Sequence, residues 1–347
     1  MIRVGIAGIG FMGMVHYLTY QNLRGVEVAA LCEQDRQRLA GDWRSIKGNF
    51  GPTGRRMDLK GVARYTDLKR MLADESIDMV DITLPPALHA DIAVAALRAG
   101  KHVFCEKPMA LSVSDCRRMA AAAKRADRLL MIGHVLPFFP EYAWALKTIR
   151  SGKFGRLLGG SFRRVISDPS WLPNYWSAEK VGGPMLDLHV HDAHFIRLLF
   201  GMPQAVVTQG RMRKNLAEFW HSQFDYGPRG PVVGATSGVI NQQGRPFAHG
   251  FEIHLERATL AFEFAVVGKN GSYLCEPVQF GSDGRARRKQ FSSSDPMDGF
   301  ATELKEVVGC VRRNTRSDIL DLRLAQDAIV LCHKQTESLR RRRSVKC

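Results

Sequence analysis

The chain has 347 residues, of which 45% are hydrophobic and 24% charged, a composition typical of globular proteins that bury a core. This length predicts roughly two domains, and no apolar run approaches the roughly 18 residues that span a bilayer. The net charge of +16 is carried by dispersed residues, and the short basic runs at 285–290 and near 341 have no interleaved aromatic residues, so a solvated basic surface is favoured over nucleic-acid binding.

The first part of the chain alternates between strand and helix patterns. Strands are predicted at "RVGIAGIG", "VEVAALCE", "SIDMVDITLP" and "KHVFCEK", and helices at "FMGMVHYLTYQNL", "LHADIAVAALRAG" and "SVSDCRRMAAAAKRA". Because the first strand begins at once, with no leader pattern, we expect a cytoplasmic protein. The alternation predicts a doubly wound parallel sheet, a Rossmann domain over residues 1–128.

The second part of the chain changes character. A helix at "PEYAWALKTIRSGKFG", a strand at "RLLGGSFRRVIS" and an apolar helix at "GPMLDLHVHDAHFI" precede several alternating runs between 203 and 291, and two helices close the chain. Successive strands without intervening helices predict a largely antiparallel open sheet. We therefore expect an α+β domain for substrate binding and oligomerisation over residues 129–347. The seven cysteines, odd in number and without C-x-x-C spacing, predict reduced thiols.

A glycine motif follows the first strand and opens the first helix. Gly8, Gly10 and Gly13 form G-x-G-x-x-G, in which the glycines make a tight turn and let a pyrophosphate approach the helix N-terminus. Glu33 ends the second strand twenty residues after Gly13, where a carboxylate binds ribose hydroxyls and repels a 2′-phosphate. The motif predicts NAD binding, and two nearby arginines keep NADP open as the less favoured cofactor.

A second motif lies in "AGKHVFCEKPMALS". Glu106 and Lys107 come at the carboxyl end of a predicted parallel strand, the edge where open α/β sheets bind ligands. A lysine there can hold a substrate oxygen and stabilise a developing alkoxide. The alternative is a surface salt bridge.

The segment "GPMLDLHVHDAHFI" places several histidines close together. In one continuous helix, Asp187, His191 and His194 share a face, whereas His189 lies on the opposite side. The separation of His189 from His191 removes the pair that a metal would need, so no metal site is predicted. The shared face is interpreted as a proton relay, with buried core histidines as the alternative.

The segments "GIAGIGFMG", "LPPALHADIAVAALRAGKHVFCEKPMALS" and "GGPMLDLHVHDAHFIRLLFGMP" resemble the Gfo/Idh/MocA family of oxidoreductases. The similarity runs in order over nearly the whole chain. It implies a Rossmann domain followed by a domain whose open sheet forms homodimers or homotetramers. It also implies reversible oxidation of a sugar or polyol hydroxyl.

The resemblance further implies roles for individual residues. His191 is the expected general acid/base, Asp187 its partner, and Lys107 the group that holds the reacting oxygen. The expected cofactor contacts are Gly8, Gly10, Phe11, Met12, Gly13, Glu33, Leu84, Pro85, His89, Glu106 and Lys107. The expected substrate contacts are His134, Trp171, Trp176 and His194.

Several positions depart from the family pattern. The expected T-P-N is Leu84-Pro85-Pro86 here, Pro137 stands where relatives often place arginine, and His194 replaces an acidic residue. The loop 48–61 is long, and is either a lid near the cofactor or a surface excursion. The loop indoles of Trp171 and Trp176 either stack on sugar rings or pack in the core or an interface.

The sequence therefore predicts an NAD(P)-dependent oxidoreductase acting on a sugar, polyol or sugar derivative. One alternative is a glycoside-cleaving enzyme that oxidises its substrate transiently, and another is a non-catalytic regulator that senses dinucleotide. The sequence does not specify the substrate or the reaction direction. Because the net charge is positive, phosphorylated and acidic sugars are among the candidate substrates.

Overall fold

The structure, a computed structural model, describes residues 1–48, 50–170, 172, 174–293 and 295–347. Fifteen strands are present in this part of the chain. They are β1 (Ile2–Ala7), β2 (Val26–Cys32), β3 (Ala63–Tyr65), β4 (Met79–Ile82), β5 (His102–Glu106), β6 (Leu130–Gly133), β7 (Leu157–Ser167), β8 (Ala205–Arg213), β9 (Leu216–Asp225), β10 (Val232–Ile240), β11 (Phe247–Leu255), β12 (Ala258–Val267), β13 (Asn270–Gly281), β14 (Ala286–Arg288) and β15 (Val345–Lys346).

Ten α-helices connect and cover these strands within the described ranges. They are α1 (Phe11–Tyr20), α2 (Arg36–Leu39), α3 (Leu68–Leu72), α4 (Pro86–Arg98), α5 (Val113–Ala126), α6 (Pro140–Arg150), α7 (Gly183–Asp187), α8 (Val190–Phe200), α9 (Pro296–Arg313) and α10 (Leu322–Arg341). None of the described helices combines the length and the apolar character that crossing a membrane requires.

The chain divides into two compact units. Unit 1 comprises Met1–Phe138 and Ser293–Gln326, and unit 2 comprises Phe139–Ser292 and Asp327–Cys347. The predicted division after residue 128 differs from this one in two ways: β6 still belongs to unit 1, and so does the later segment that holds α9. An amphipathic helix pattern does not specify which sheet the helix will cover, and this explains the second difference.

Unit 1 contains a six-stranded sheet in the order β3-β2-β1-β4-β5-β6, with all pairs parallel. The order reverses between β1 and β4, the position where open parallel sheets bind ligands at their carboxyl ends. The predicted Rossmann architecture is therefore confirmed. The buried strand β4, "MVDI", shows the apolar character expected of a sheet covered on both faces.

Helix α9 completes the core of unit 1. Asp295 caps its first turn by accepting from the Met297 amide at 2.9 Å, and Pro296 occupies the first helical position. Its buried side chains Leu304 and Val307 belong to the same apolar cluster as those of β1 and α1. Helix α1 is thus covered by a helix from far along the chain.

Unit 2 contains a nine-stranded sheet in the order β14-β13-β12-β11-β7-β10-β9-β8-β15. Strands β7 and β10 pair in parallel, and the remaining described pairs are antiparallel. This arrangement confirms the predicted α+β domain with a largely antiparallel sheet. A buried ion pair between Arg164 of β7 and Asp192 of α8, with Nε to Oδ2 at 2.6 Å, fixes α8 against the sheet.

Candidate active site

The carboxyl edge of the unit 1 sheet gathers most of the predicted cofactor residues. Each is the first or second residue after a strand, or lies in the turn that follows it. They are Gly8 and Gly10 after β1, Glu33 after β2, Leu84 and Pro85 after β4, and Lys107 after β5. His134, a predicted substrate contact, follows β6 at the same edge. Since parallel strands end at one edge, residues far apart in sequence share one side of unit 1.

The glycine motif has the geometry of a close-packed turn. Gly8 has a φ of 98°, in the left-handed region that favours glycine. A Cβ at Gly13 would lie 2.1 Å from the Gly8 carbonyl oxygen, so only glycine lets α1 pack against the turn. A Cβ at Gly10 would meet nothing within 4 Å. Gly10 therefore leaves open the space that a pyrophosphate needs at the N-terminus of α1.

The different surroundings of Gly10 and Gly13 predict different effects for their substitution by alanine. Gly13→Ala is expected to lower the free energy of unfolding by about 1–3 kcal/mol, because its Cβ meets backbone. Gly10→Ala is expected to leave thermal stability unchanged and to weaken NAD binding at least tenfold, because the methyl group occupies the open space. Thermal unfolding and calorimetric titration with NAD measure the two effects. Equal stability losses in both variants would contradict the prediction.

Glu33 organises the glycine turn. Its carboxylate accepts from the Ile9 amide at 2.7 Å and from the Asp35 amide at 3.0 Å. Arg38 donates from a terminal nitrogen to the Ile9 carbonyl at 3.2 Å. The acidic group at the end of β2 is thus held beside the turn that would carry the dinucleotide.

The turn after β4 contains a residue that the sequence analysis missed. The Thr83 hydroxyl donates to the Gly8 carbonyl at 2.7 Å, which ties the turn after β4 to the turn after β1. The side chain of Leu84 also approaches Gly8, since a Cβ there would lie 3.0 Å from Leu84 Cδ2. The sequence signal for this contact was the threonine of "TLPP", which lies at the end of the predicted strand.

His89 is placed differently from the predicted cofactor contact. It is completely buried, and its two ring nitrogens lie 2.8 Å from the Pro108 carbonyl oxygen and 2.7 Å from the Leu84 carbonyl oxygen. With both nitrogens occupied, His89 cannot bind a cofactor directly. It joins the turn after β4 to the turn after β5, and so positions residues that face the edge.

Glu106 is likewise not placed as a cofactor contact. Its side chain points into unit 1, where one oxygen lies 3.2 Å from His16 Nε2 and the other accepts from the Lys107 amide at 3.1 Å. A glutamate beside a lysine resembles a surface residue in sequence, so the inward orientation of Glu106 has no sequence signal. Lys107 itself is half-buried directly after β5.

The first turn of α1 packs against the loop 48–61. Phe11 meets Phe50 edge-on at 4.9 Å between ring centroids, and Phe50 stacks on Phe300 of α9 at 5.5 Å. Met12 is half-buried beside Phe11. The Met57 amide also bonds to the Gly41 carbonyl at 2.8 Å, so the loop 48–61 is held to unit 1 at several points along its length.

The predicted helix that carries the histidines is two helices. Helix α7 ends at Asp187 and α8 begins at Val190, because the amides of both Leu188 and His189 bond to the Pro184 carbonyl, at 3.1 and 3.0 Å. This wide turn breaks the regular spacing from which a shared face for Asp187 and His191 was inferred. The expectation of one continuous helix was therefore wrong.

The histidines of this segment occupy different environments. His191 is half-buried on α8, as is Asp187 at the end of α7, whereas His194 is completely buried. His189 is also buried and its Nδ1 lies 2.8 Å from the Ser237 hydroxyl. Burial lowers the pKa of His189 to about 4, so this imidazole is neutral.

The rotation of α8 is set by a pair that the sequence analysis did not single out. Asp192 and Arg164 form the buried ion pair described above, directly beside His191 in sequence. The signal was an arginine within the alternating strand "SFRRVIS" and a second aspartate in the histidine segment. Because α8 is anchored at Asp192, the His191 side chain has a defined direction.

The two indoles were expected to stack on sugar or to pack internally. Trp171 lies outside the described residues. Trp176 is half-buried, donates from Nε1 to Asp168 at 3.1 Å, and carries the guanidinium of Arg213 over its ring at 4.3 Å. A sugar could therefore stack only on the other face of Trp176.

Metal ligation receives no support within the described ranges, where no group of three or more histidine, cysteine, aspartate or glutamate side chains could hold an ion. His134, predicted to contact substrate, is completely buried after β6.

Comparison with known proteins gives the following relatives. Inositol 2-dehydrogenase of Salmonella typhimurium is 34% identical over 161 residues, 45% of this chain and 44% of that protein, so the match spans less than half of the relative. Levoglucosan dehydrogenase of Pseudarthrobacter phenanthrenivorans is 28% identical over 301 residues, 76% of this chain and 74% of that protein. A solved levoglucosan dehydrogenase in complex with NADH and levoglucosan shares the fold, with a TM-score of 0.79 at 20% identity over 99% of this chain and 98% of that one.

Two domain models of one family match the chain in order. The model for the oxidoreductase family with an NAD-binding Rossmann fold matches residues 2–134, and the model for the GFO/IDH/MocA C-terminal domain matches residues 142–273. The first match covers the glycine motif and the E-K-P segment, residues 106–108, and the second covers the histidine segment. This chain therefore belongs to the GFO/IDH/MocA family of NAD-binding oxidoreductases.

Proposed function

We propose that the protein is an NAD-dependent oxidoreductase that converts a hydroxyl group of a sugar, polyol or sugar derivative to a carbonyl, and the reverse. Bound NAD supplies the hydride acceptor. The dehydrogenase names of the relatives and their sugar and polyol substrates support this class. The proposal rests on one observation: the glycine turn, Thr83 and Lys107 all lie at the carboxyl edge of the unit 1 sheet.

The family resemblance implies separate roles in the reaction for Lys107, Asp187 and His191. The ammonium group of Lys107 holds the reacting oxygen and stabilises the negative charge that develops on it. His191 takes the hydroxyl proton as general base during oxidation and returns it during reduction. Asp187 acts as the partner of His191, the role that the family resemblance implies for it.

The first experiment is native mass spectrometry of the purified protein for bound dinucleotide. It is followed by absorbance at the reduced-nicotinamide band during addition of a panel that includes myo-inositol, levoglucosan, and phosphorylated and acidic sugars. Reduced nicotinamide formed with one compound supports the dehydrogenase and identifies its substrate class. Bound NAD without net reduction supports transient oxidation or a dinucleotide sensor instead.

The cofactor preference is proposed to depend on Glu33. Its carboxylate lies beside the glycine turn, where it would bind ribose hydroxyls and repel the 2′-phosphate of NADP. Glu33→Gln is expected to reduce the preference for NAD over NADP by roughly tenfold or more, since a charged hydrogen bond and a repulsion are both lost. Asp35→Asn, which removes an exposed carboxylate two residues away, is the matched control. Calorimetric titration with both dinucleotides measures the ratio.

A homodimer or homotetramer is proposed to form through unit 2. Several large apolar side chains of its strands are exposed, and such surfaces are typical of subunit interfaces. They are Leu158, Val232, Val267, Leu274 and Phe280. Light scattering coupled to gel filtration determines the mass in solution, and a monomer at micromolar concentration would contradict this proposal.

A further inference from the structure

A buried imidazole bridges two carboxylates beneath the E-K-P turn of unit 1. His16 lies on α1, completely buried, with Nδ1 2.9 Å from Asp81 Oδ2 and Nε2 3.2 Å from Glu106 Oε1. Its ring stacks on Phe104 at 5.6 Å between centroids. The bridge connects the helix that follows the glycine turn to the strand ends of β4 and β5.

Glu106 carries this bridge to the backbone of Lys107. Its second carboxylate oxygen accepts from the Lys107 amide at 3.1 Å. Gly133 leaves room for this carboxylate, since a Cβ there would lie only 3.3 Å from the Glu106 Oε1 atom. The direction of the Glu106 side chain and the direction of the following peptide are therefore coupled.

The charge state of His16 follows from its partners. Burial alone would lower the pKa of its imidazole, but the charges and hydrogen bonds of Asp81 and Glu106 outweigh burial and raise the pKa well above 6.5. His16 is thus an imidazolium, whose Nδ1 donates to Asp81 and whose Nε2 forms an ion pair with Glu106 at 3.2 Å. A neutral imidazole could donate to only one of the two carboxylates.

Glu303 of α9 lies in the same region but makes no such contacts. It is completely buried, and within the described part of the chain neither of its carboxyl oxygens has a hydrogen-bond partner. Burial raises its pKa well above 4.5, and repulsion from Glu106 and Asp81 adds to this effect while His16 opposes it. Glu303 is therefore a neutral acid and adds no third negative charge.

We propose that His16 is a positioning residue, which orients the Glu106 carboxylate and thereby the peptide that carries Lys107. The proposal rests on the proposed function, because the catalytic role of Lys107 is itself proposed there. The imidazolium does not contact substrate in this scheme. It acts through Glu106, so its loss changes where the Lys107 ammonium is held.

The pH dependence of the bridge has a defined sign. A raised pKa for His16 contributes stability that is fully present below the unfolded value of about 6.5 and is lost as pH rises through the folded value. Glu303 also makes the stability fall as pH rises, because it keeps a proton in the folded protein that it releases in the unfolded chain. The other titratable groups that face this cluster are Tyr20, Cys105, His89 and Lys107.

The Lys107 amide signal in the nitrogen–proton spectrum of the full-length protein tests the proposal without substrate. His16→Gln and Glu106→Gln are each expected to shift this signal, and the double variant is expected to shift it no further than Glu106→Gln alone. Glu303→Gln is the matched control: it replaces a neutral acid by a neutral amide, so the signal stays in place and thermal stability falls less with rising pH.

Turnover and ring protonation complete the test. At neutral pH the His16 ring of the unaltered protein is expected to show both nitrogens protonated, and a neutral ring would overturn the proposal even where the variants fail to fold. With the panel compound that is oxidised fastest, His16→Gln is expected to lower kcat at least tenfold with little change in the KM for NAD. An unmoved Lys107 signal or additive shifts would overturn the positioning role. Full turnover in Lys107→Met, with the shifts as expected, would overturn only the proposed function.

Discussion

Replacing Lys107 by methionine is expected to lower kcat about 100- to 1,000-fold, the usual loss when a preorganised charge that stabilises a developing oxyanion is removed. Methionine retains the length of the side chain but has no charge, so packing after β5 is preserved. Initial rates of nicotinamide reduction with the panel compound that is oxidised fastest measure the loss. Binding of NAD, measured by calorimetry, is expected to change little.

The matched control for this substitution is Lys124→Met. Lys124 is exposed on α5 of the same unit, so its replacement removes the same charge from the protein as a whole without reaching the sheet edge. A similar fall in kcat in both variants would mean that net charge, not position, causes the effect. Unchanged turnover in Lys107→Met would remove Lys107 from the reaction.

Replacing His191 by glutamine is expected to lower kcat about 100- to 10,000-fold, the range found when a general acid/base is lost. Glutamine occupies a similar volume and can still form hydrogen bonds, so the anchoring of α8 by Asp192 is preserved. The rate of oxidation in the unaltered protein should rise with pH as the base loses its proton, and this rise should be absent in the variant.

His221→Gln provides the comparison for this second substitution. His221 is an exposed histidine of β9, with Nδ1 2.9 Å from the Thr236 hydroxyl. Its replacement removes an imidazole from unit 2 far from α8 in sequence, and the rate and its pH dependence should be retained. If His191→Gln behaves in the same way, the base must be another group.

Strand and helix periodicity was sufficient to predict the fold class. The apolar parallel strands, such as "HVFCE" of β5, and the alternating strands of unit 2 both follow from which faces are buried, and this is a local property. The glycine motif was equally local, since the close contact between Gly13 and the Gly8 carbonyl requires glycine at fixed spacing. The family resemblance rested on these same segments and is confirmed.

The failures concern contacts between distant residues. The orientation of Glu106 depends on His16, which lies ninety positions earlier. The break before α8 depends on the hydrogen bond from the His189 amide to the Pro184 carbonyl. Neither is encoded in the spacing of residue types. The inward direction of His89 has the same origin, because two backbone carbonyls from different turns occupy its ring nitrogens.

The return of α9 to unit 1 has a consequence for synthesis on the ribosome. At roughly 5–20 residues per second, the helix is translated about ten seconds or more after β6, with nearly all of unit 2 made in the interval. During that time the part of α1 that α9 will cover, where His16 meets Phe300, lacks its partner helix. Nascent chains that stop before residue 296 should therefore bind chaperones or aggregate, even though every strand of the dinucleotide-binding sheet is already complete.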